Sequence, residues 1–382
     1  MHSNPFTDDE LNRRLAATRE EMTTRSLDLI LLSAPEHVFY LTGLDHWGYF
    51  APHVLIVPAD GDLVLVTRAM EHVVIRNQVR NATFIGHTDS ETAADLVIRH
   101  LKGTTSGKCI GLEAGSAGLS YAMGETLKHE IDAGSWVDIT GMLDETRLVK
   151  SGEEQDYMRK AAVASDAGTQ AAINAIHDGA READVAAECL AAMTRAGGTP
   201  PGFGPFLRPF HRMAEEHTTW GDGEHHEAVF LEVAGCVARY NAPMGRLVNI
   251  GKISDEDAEM AQLCGEAFDA TLKALKVGAR AKDVYNGWQA VVDAAGMPEY
   301  RRHHCGYLVG IGFPPAWTGG PRVTGLRHDS DREMREGMTF HLMSWFTETG
   351  GRGNYFISNT VLLDTHGAEV LTTTPYGPHI AP

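Results

Sequence analysis

Glu232 is the sole charge in the apolar run Val229-Phe-Leu-Glu-Val-Ala234. A carboxyl group desolvated on such a strand has its pKa raised, which makes it proton-sharing or reactive near neutral pH. An outward-facing glutamate on an edge strand would leave the same pattern. Arg239 and Arg246 follow in the same stretch and suit a small carboxylate, because guanidinium recognises carboxylates through paired donors; a solvated surface arginine is the plainer reading of Arg239. His217, flanked by Ala214-Glu-Glu and Thr218-Thr-Trp220, offers an imidazole that moves protons at physiological pH, or is a solvated loop histidine. Trp47, Tyr49 and Phe50 cluster in Asp45-His-Trp-Gly-Tyr-Phe50, where core packing accounts for them as well as any ligand contact does.

The histidines show no metal-binding spacing. His225-His226 and His303-His304 are adjacent pairs whose side chains diverge, and no H-x-x-x-H pair lies on a helical stretch. The five cysteines are odd in number and scattered, so neither a disulfide framework nor a zinc knuckle is expected. They read as small buried apolar residues, with Cys305 set apart by its neighbours His303, His304 and Tyr307.

Positioning such groups takes more than one core, since 382 residues exceed an ordinary single domain. Hydrophobic residues make up 43% and charged residues 22%, the profile of a globular enzyme. A net charge of −18 argues against nucleic-acid binding, which uses a basic face. No apolar run approaches the roughly 20 residues that cross a bilayer, so no membrane partner is expected. The opening Met1-His-Ser-Asn-Pro-Phe-Thr-Asp-Asp-Glu10 lacks the basic start and apolar core of a signal peptide, which points to the cytoplasm.

Thr7-Asp-Asp-Glu10 is a capping box that opens a helix to about Thr24. Strands are expected at 27–32, 54–57, 63–66, 109–112 and 136–139, with helices between, giving an α/β domain with a mixed sheet over 1–146. The second domain, 147–382, begins near a capping box of Ser151 and Glu154. Two helices (to 178 and over 181–197) precede strands at 228–234, 237–240 and 246–250. Two further helices, from Ser254 and Ala281, precede strands near 307–311, 338–343, 356–363 and 369–371. Helix pair, strands, helix pair, strands suggests a duplicated α+β unit without a residue-level repeat.

This layout resembles the pita-bread fold of the methionine aminopeptidase, prolidase and creatinase superfamily. The resemblance rests on Arg147-Leu-Val-Lys-Ser-Gly-Glu-Glu154 at the domain entry, His217-Thr-Thr-Trp220, Phe230-Leu-Glu-Val-Ala-Gly235, and Gly306-Tyr-Leu-Val-Gly-Ile-Gly-Phe-Pro-Pro315. It implies an N-terminal creatinase-like α/β domain before a C-terminal pita-bread α+β domain. The superfamily's five metal-ligand positions then fall at Glu232, Pro243, Tyr307, Met343 and Ser358, of which only Glu232 keeps ligand chemistry. No metal and no other cofactor is therefore expected. Gly337-Met-Thr-Phe-His341 and Ile357-Ser-Asn-Thr360 look closest to the metal-free ectoine hydrolases, although Asn241 and Asn354-Tyr-Phe356 depart from that pattern.

The resemblance implies a hydrolase acting on a C–N bond of a small zwitterionic metabolite, with ectoine opened to an N-acetyl-diaminobutyrate. Glu232 would be nucleophile or base, and His217 the proton shuttle, by match to the creatinase histidine. Tyr307, Arg246, Tyr240, Tyr355 and His304 would bind substrate. Trp47, Tyr49 and Phe50 would reach the partner's site in a homodimer. The rivals are a Xaa-Pro peptidase with an unusual metal site and a catalytically silent binding protein of the same fold.

Overall fold

The computed structural model describes residues 3–320 and 322–382. Met1 and His2, which open the stretch read above for a leader, lie outside the described residues. The chain divides into two compact units, Met1–Arg147 and Leu148–Pro382. Among the described residues no helix is long and apolar enough to cross a membrane.

The first unit runs α1 (Asp8–Thr24), β1 (Leu29–Leu32), α2 (Pro35–Thr42), β2 (Val54–Pro58), β3 (Leu63–Arg68), α3 (His72–Gln78), β4 (Ala82–His87), α4 (Ala93–Leu101), β5 (Cys109–Leu112), α5 (Tyr121–Glu130), β6 (Ser135–Asp138) and α6 (Met142–Arg147). Thr7 caps α1 by accepting from the Glu10 amide. The six strands form one mixed sheet in the order β4-β3-β2-β1-β5-β6. Its hairpin strands β1, β2 and β3 are antiparallel; β3 to β4, β1 to β5 and β5 to β6 are parallel. The run of apolar residues in β1 to β3 reflects burial on both sides, with α4 and α5 packed against Leu29, Leu31, Val64 and Val66.

The second unit begins with α7 (Gly152–Ala175), β7 (Ala180–Arg181), α8 (Glu182–Arg195), β8 (Phe206–Pro209), β9 (Glu224–His225), β10 (Val229–Val237) and β11 (Tyr240–Ile250). It continues with α9 (Asp255–Ala274), α10 (Ala281–Ala294), β12 (Gly306–Leu308), β13 (Thr339–Phe346), β14 (Tyr355–Asp364), β15 (Gly367–Val370) and β16 (His379–Ala381). Ser151 and Glu154 close the expected capping box on α7. The main sheet is ordered β12-β13-β14-β11-β10-β8, with β15 on β14 and β16 on β11. Where three strands were expected over 228–250 there are two long ones, because Ala238 and Arg239 take positive φ (49° and 64°) and close a tight hairpin.

Strand alternation gives this sheet two distinct faces. Leu207, Val229, Leu231, Val233, Met244 and Val248 pack against the α7–α8 pair. Ser344 of β13 faces the other pair, accepting from Trp288 of α10 and Cys264 of α9. The alternate residues, Glu232, Gly245, Ser358, Met343 and His341, share the opposite face, and that face carries the site.

Candidate active site

Backbone register assembles the site floor. Glu232 pairs with Gly245, Gly245 with Ser358, and Ser358 with Met343, a row across four strands. Tyr307 pairs with His341, one step along β13 from Met343 on the same face. A Cβ on Gly245 would sit 2.1 Å from the Phe356 ring, so only glycine lets that ring cross the floor.

A buried hydrogen-bond chain runs over this floor. Trp317 Nε1 donates to the Tyr307 hydroxyl at 2.8 Å. That hydroxyl lies 2.9 Å from His341 Nδ1, and His341 Nε2 lies 2.7 Å from Ser358 Oγ and 3.8 Å from Glu232 Oε1. Burial depresses the His341 pKa to about 3, assisted by the neighbouring His304, so the ring is neutral at pH 7. A neutral imidazole donates at one nitrogen and accepts at the other. Either Tyr307 donates to His341 and His341 to Ser358, or Ser358 donates to His341 and His341 to Tyr307, with Trp317 donating to the Tyr307 oxygen in both. One hydroxyl of the two keeps its proton for a ligand in each state, and a change of tautomer moves that donor from Ser358 to Tyr307.

Glu232 supplies a carboxyl to this floor. Desolvation raises its pKa to about 8; the Arg208 guanidinium lowers it and Glu216 raises it. Burial also raises the Tyr307 hydroxyl well above its ordinary value. His304 stands with its ring 5.5 Å from that of Tyr307, and burial depresses its pKa to about 3. With Glu232 protonated and both histidines neutral, the floor carries no net charge at neutral pH.

His217 lies on the exposed 210–220 loop, with φ 61° and its ring 5.9 Å from Phe203 and 6.2 Å from Phe206. Phe206 is the register partner of Glu232, and both phenylalanines pack on Trp317, so His217 borders the aromatic cluster beside Glu232. Arg208 of β8 ties this loop down, donating to the carbonyls of Met213, Glu215 and Thr218.

Three expected substrate-binding residues face the wrong way. Arg246 is fully buried on the helix side and spends its donors on Gly245 O, Ser358 O, Thr374 O, Pro375 O and Asn359 Oδ1. Tyr240 donates to Glu154 of α7 at 2.8 Å, and Tyr355 to the Tyr376 carbonyl at 3.1 Å. A one-residue offset on a strand reverses the face, and each of these lies on a floor strand but projects from its other side. In the first unit Trp47 and Phe50 are exposed, while Tyr49 donates to Leu44 O and packs its ring on His46 and His53. His341, Trp317 and Arg208 had no role assigned from sequence. The available signal for His341 was its place two residues before Met343, hence on the same face.

Residues 156–365 match the metallopeptidase family M24, and residues 14–149 match the creatinase/prolidase N-terminal domain. The chain belongs to metallopeptidase family M24, is a hydrolase of that family, and has its pita-bread fold behind a creatinase-type N-terminal domain, as the resemblance implied. Among its relatives, the ectoine hydrolase of Halomonas elongata is 27% identical over 97% of both chains. The Xaa-Pro dipeptidase of Pyrococcus furiosus is 25% identical over 95% of this chain and 99% of that one. The structure of the Pyrococcus horikoshii prolidase superposes with a TM-score of 0.82 at 21% identity, covering 95% and 99% of the two chains.

The family name implies a metal, and the donor set here does not fit one. Hard divalent cations need several oxygen or imidazole ligands. The floor offers one carboxyl, a neutral imidazole committed to two hydroxyls, Met343 and Pro243. No group of three His, Cys, Asp or Glu side chains among the described residues is arranged to hold a metal ion.

Proposed function

We propose that the protein is a metal-independent hydrolase cleaving a C–N bond of a small zwitterionic metabolite, with ring opening of ectoine to an N-acetyl-diaminobutyrate as its reaction. One observation carries this: a single desolvated carboxyl, Glu232, with its side chain 13% exposed, faces neutral hydrogen-bonding groups where the family's other ligands would stand. Similarity to an ectoine hydrolase along nearly the whole chain supports the substrate.

The electrostatics suit a cationic amidine. An amidinium placed about 4–6 Å from Glu232 favours the carboxylate and reverses the effect of desolvation. The displaced proton leaves through His217, which is exposed on its loop. The Glu232 carboxylate then adds to the amidine carbon, and the ring C–N bond breaks as the departing nitrogen takes back through His217 the proton that Glu232 gave up, while the Tyr307–His341–Ser358 chain holds the substrate by hydrogen bonds. The resulting imidate ester is attacked at carbon by water, which gives up its proton to His217 and expels the carboxylate, leaving the N-acetyl product. Two-step covalent chemistry thus replaces the work of a metal-bound hydroxide.

Glu232→Gln keeps size and removes nucleophilicity. Turnover of ectoine is expected to fall by about 10³-fold or more with the circular dichroism spectrum unchanged. Full turnover by this variant excludes the role.

A further inference from the structure

Trp345 projects from β13 on the same face as Met343 and His341. Its indole is 8% exposed, yet Nε1 donates to no described residue. The Arg302 guanidinium lies over this ring, 4.4 Å from its centroid. Arg302 Nε is also buried without a partner, and no described carboxylate comes within ion-pair distance of this arginine. Its Tyr300 neighbour is a hydroxyl, and Glu216 and Glu348 act on it only through space. The partly exposed guanidinium, hydrogen-bonded to Tyr300, therefore lies against an indole whose buried Nε1 has no acceptor among the described residues, and an unmet buried donor is costly unless a ligand supplies one.

The pair is continuous with the catalytic floor. The His304 ring lies 5.5 Å from both the Trp345 and Tyr307 rings. Glu216, on the loop that carries His217, acts electrostatically on Arg302, His303, Tyr307 and Glu232 alike.

We propose that Arg302 and Trp345 Nε1 form the subsite for the substrate's carboxylate, which accepts from both while the substrate's cationic centre faces Glu232. This deepens the hydrolase reading above and rests on it for the reacting end. The two charges of a zwitterion are thereby sorted: anion beside Trp345, cation beside the acid. Arginine beside an indole N–H gives directional, charge-assisted donors that suit a planar carboxylate.

Two measurements test the subsite. In kinetics, ectoine is compared with its decarboxylated analogue, 2-methyl-tetrahydropyrimidine. Arg302→Gln is expected to raise KM for ectoine about tenfold or more with kcat nearly unchanged, and to leave KM for the analogue as in the wild type. Trp345→Phe keeps the ring and is expected to give a smaller rise in the same direction. Equal changes for the two compounds, or none, overturn the subsite. The second measurement needs no turnover. In ¹⁵N-labelled protein the Trp345 indole N–H resonance, assigned by its loss in Trp345→Phe, is expected to shift on adding ectoine or N-acetyl-diaminobutyrate, and not in Arg302→Gln. A shift without hydrolysis keeps the carboxylate subsite and removes the ectoine reaction. No shift with either acid overturns the subsite even where hydrolysis is seen.

Discussion

Glu232, His341 and His304 all resist the charge they would carry in water, and burial is the leading cause for each. The consequences for stability have opposite signs. Glu232 has a folded pKa of about 8 against 4.5, so its contribution is complete below pH 4.5 and is lost as pH rises through 8. The histidines fall from 6.5 to about 3, so theirs is complete above pH 6.5 and is lost as pH falls through 3. Glu232→Gln cannot ionise and is expected to melt about 3 °C or more above the wild type at pH 8.5, with the gap closing toward pH 4.5. Parallel melting curves across that range would contradict the buried-acid assignment. His341→Phe breaks the chain between Tyr307 and Ser358 and is expected to cost about 10²-fold or more in kcat/KM.

At the scale of elements, alternation decides which side chains meet the ligand. Arg246 holds five oxygen atoms from β11, β14 and the 374–375 segment, so it is a structural staple of the sheet. Arg246→Met strands those acceptors and is expected to destabilise the fold by about 2 kcal/mol or more without changing KM in the protein that remains folded, as read by denaturant melts and kinetics. Helix starts were legible because capping is local: Thr7, Ser151 and Ser254 each cap the helix expected after them. Most strand centres were legible from apolar runs. The short β8 was not, because Phe206–Pro209 carries an arginine and a proline and earns its place only by pairing with β10. Glu232 was legible as the one charge in an apolar strand. Ser358 was placed beside it only through the family resemblance, and His341 was missed because it meets Glu232 through pairing between strands distant in sequence; the face of Arg246, Tyr240 and Tyr355 depended on registers that no local pattern reveals.

At the scale of the whole molecule, the relatives cover the two units together. We further propose that the chain acts as a homodimer in which the exposed Trp47 and Phe50 help close the partner's site over a cationic ring. Sedimentation equilibrium is expected to give twice the mass of one chain. The Trp47→Ala, Phe50→Ala double variant is expected to raise KM for ectoine several-fold. A monomer that turns over ectoine normally would exclude this role for the aromatic loop.

The central claim is that one buried carboxyl does the work a metal does elsewhere in the family. The most direct test measures metal content and ectoine turnover on the same preparation, before and after exhaustive chelation, with the product identified by mass. The expected result is substoichiometric metal, undiminished turnover and an N-acetyl-diaminobutyrate product. Bound divalent metal at one or two ions per chain, with turnover lost on chelation and restored by the metal, would contradict it.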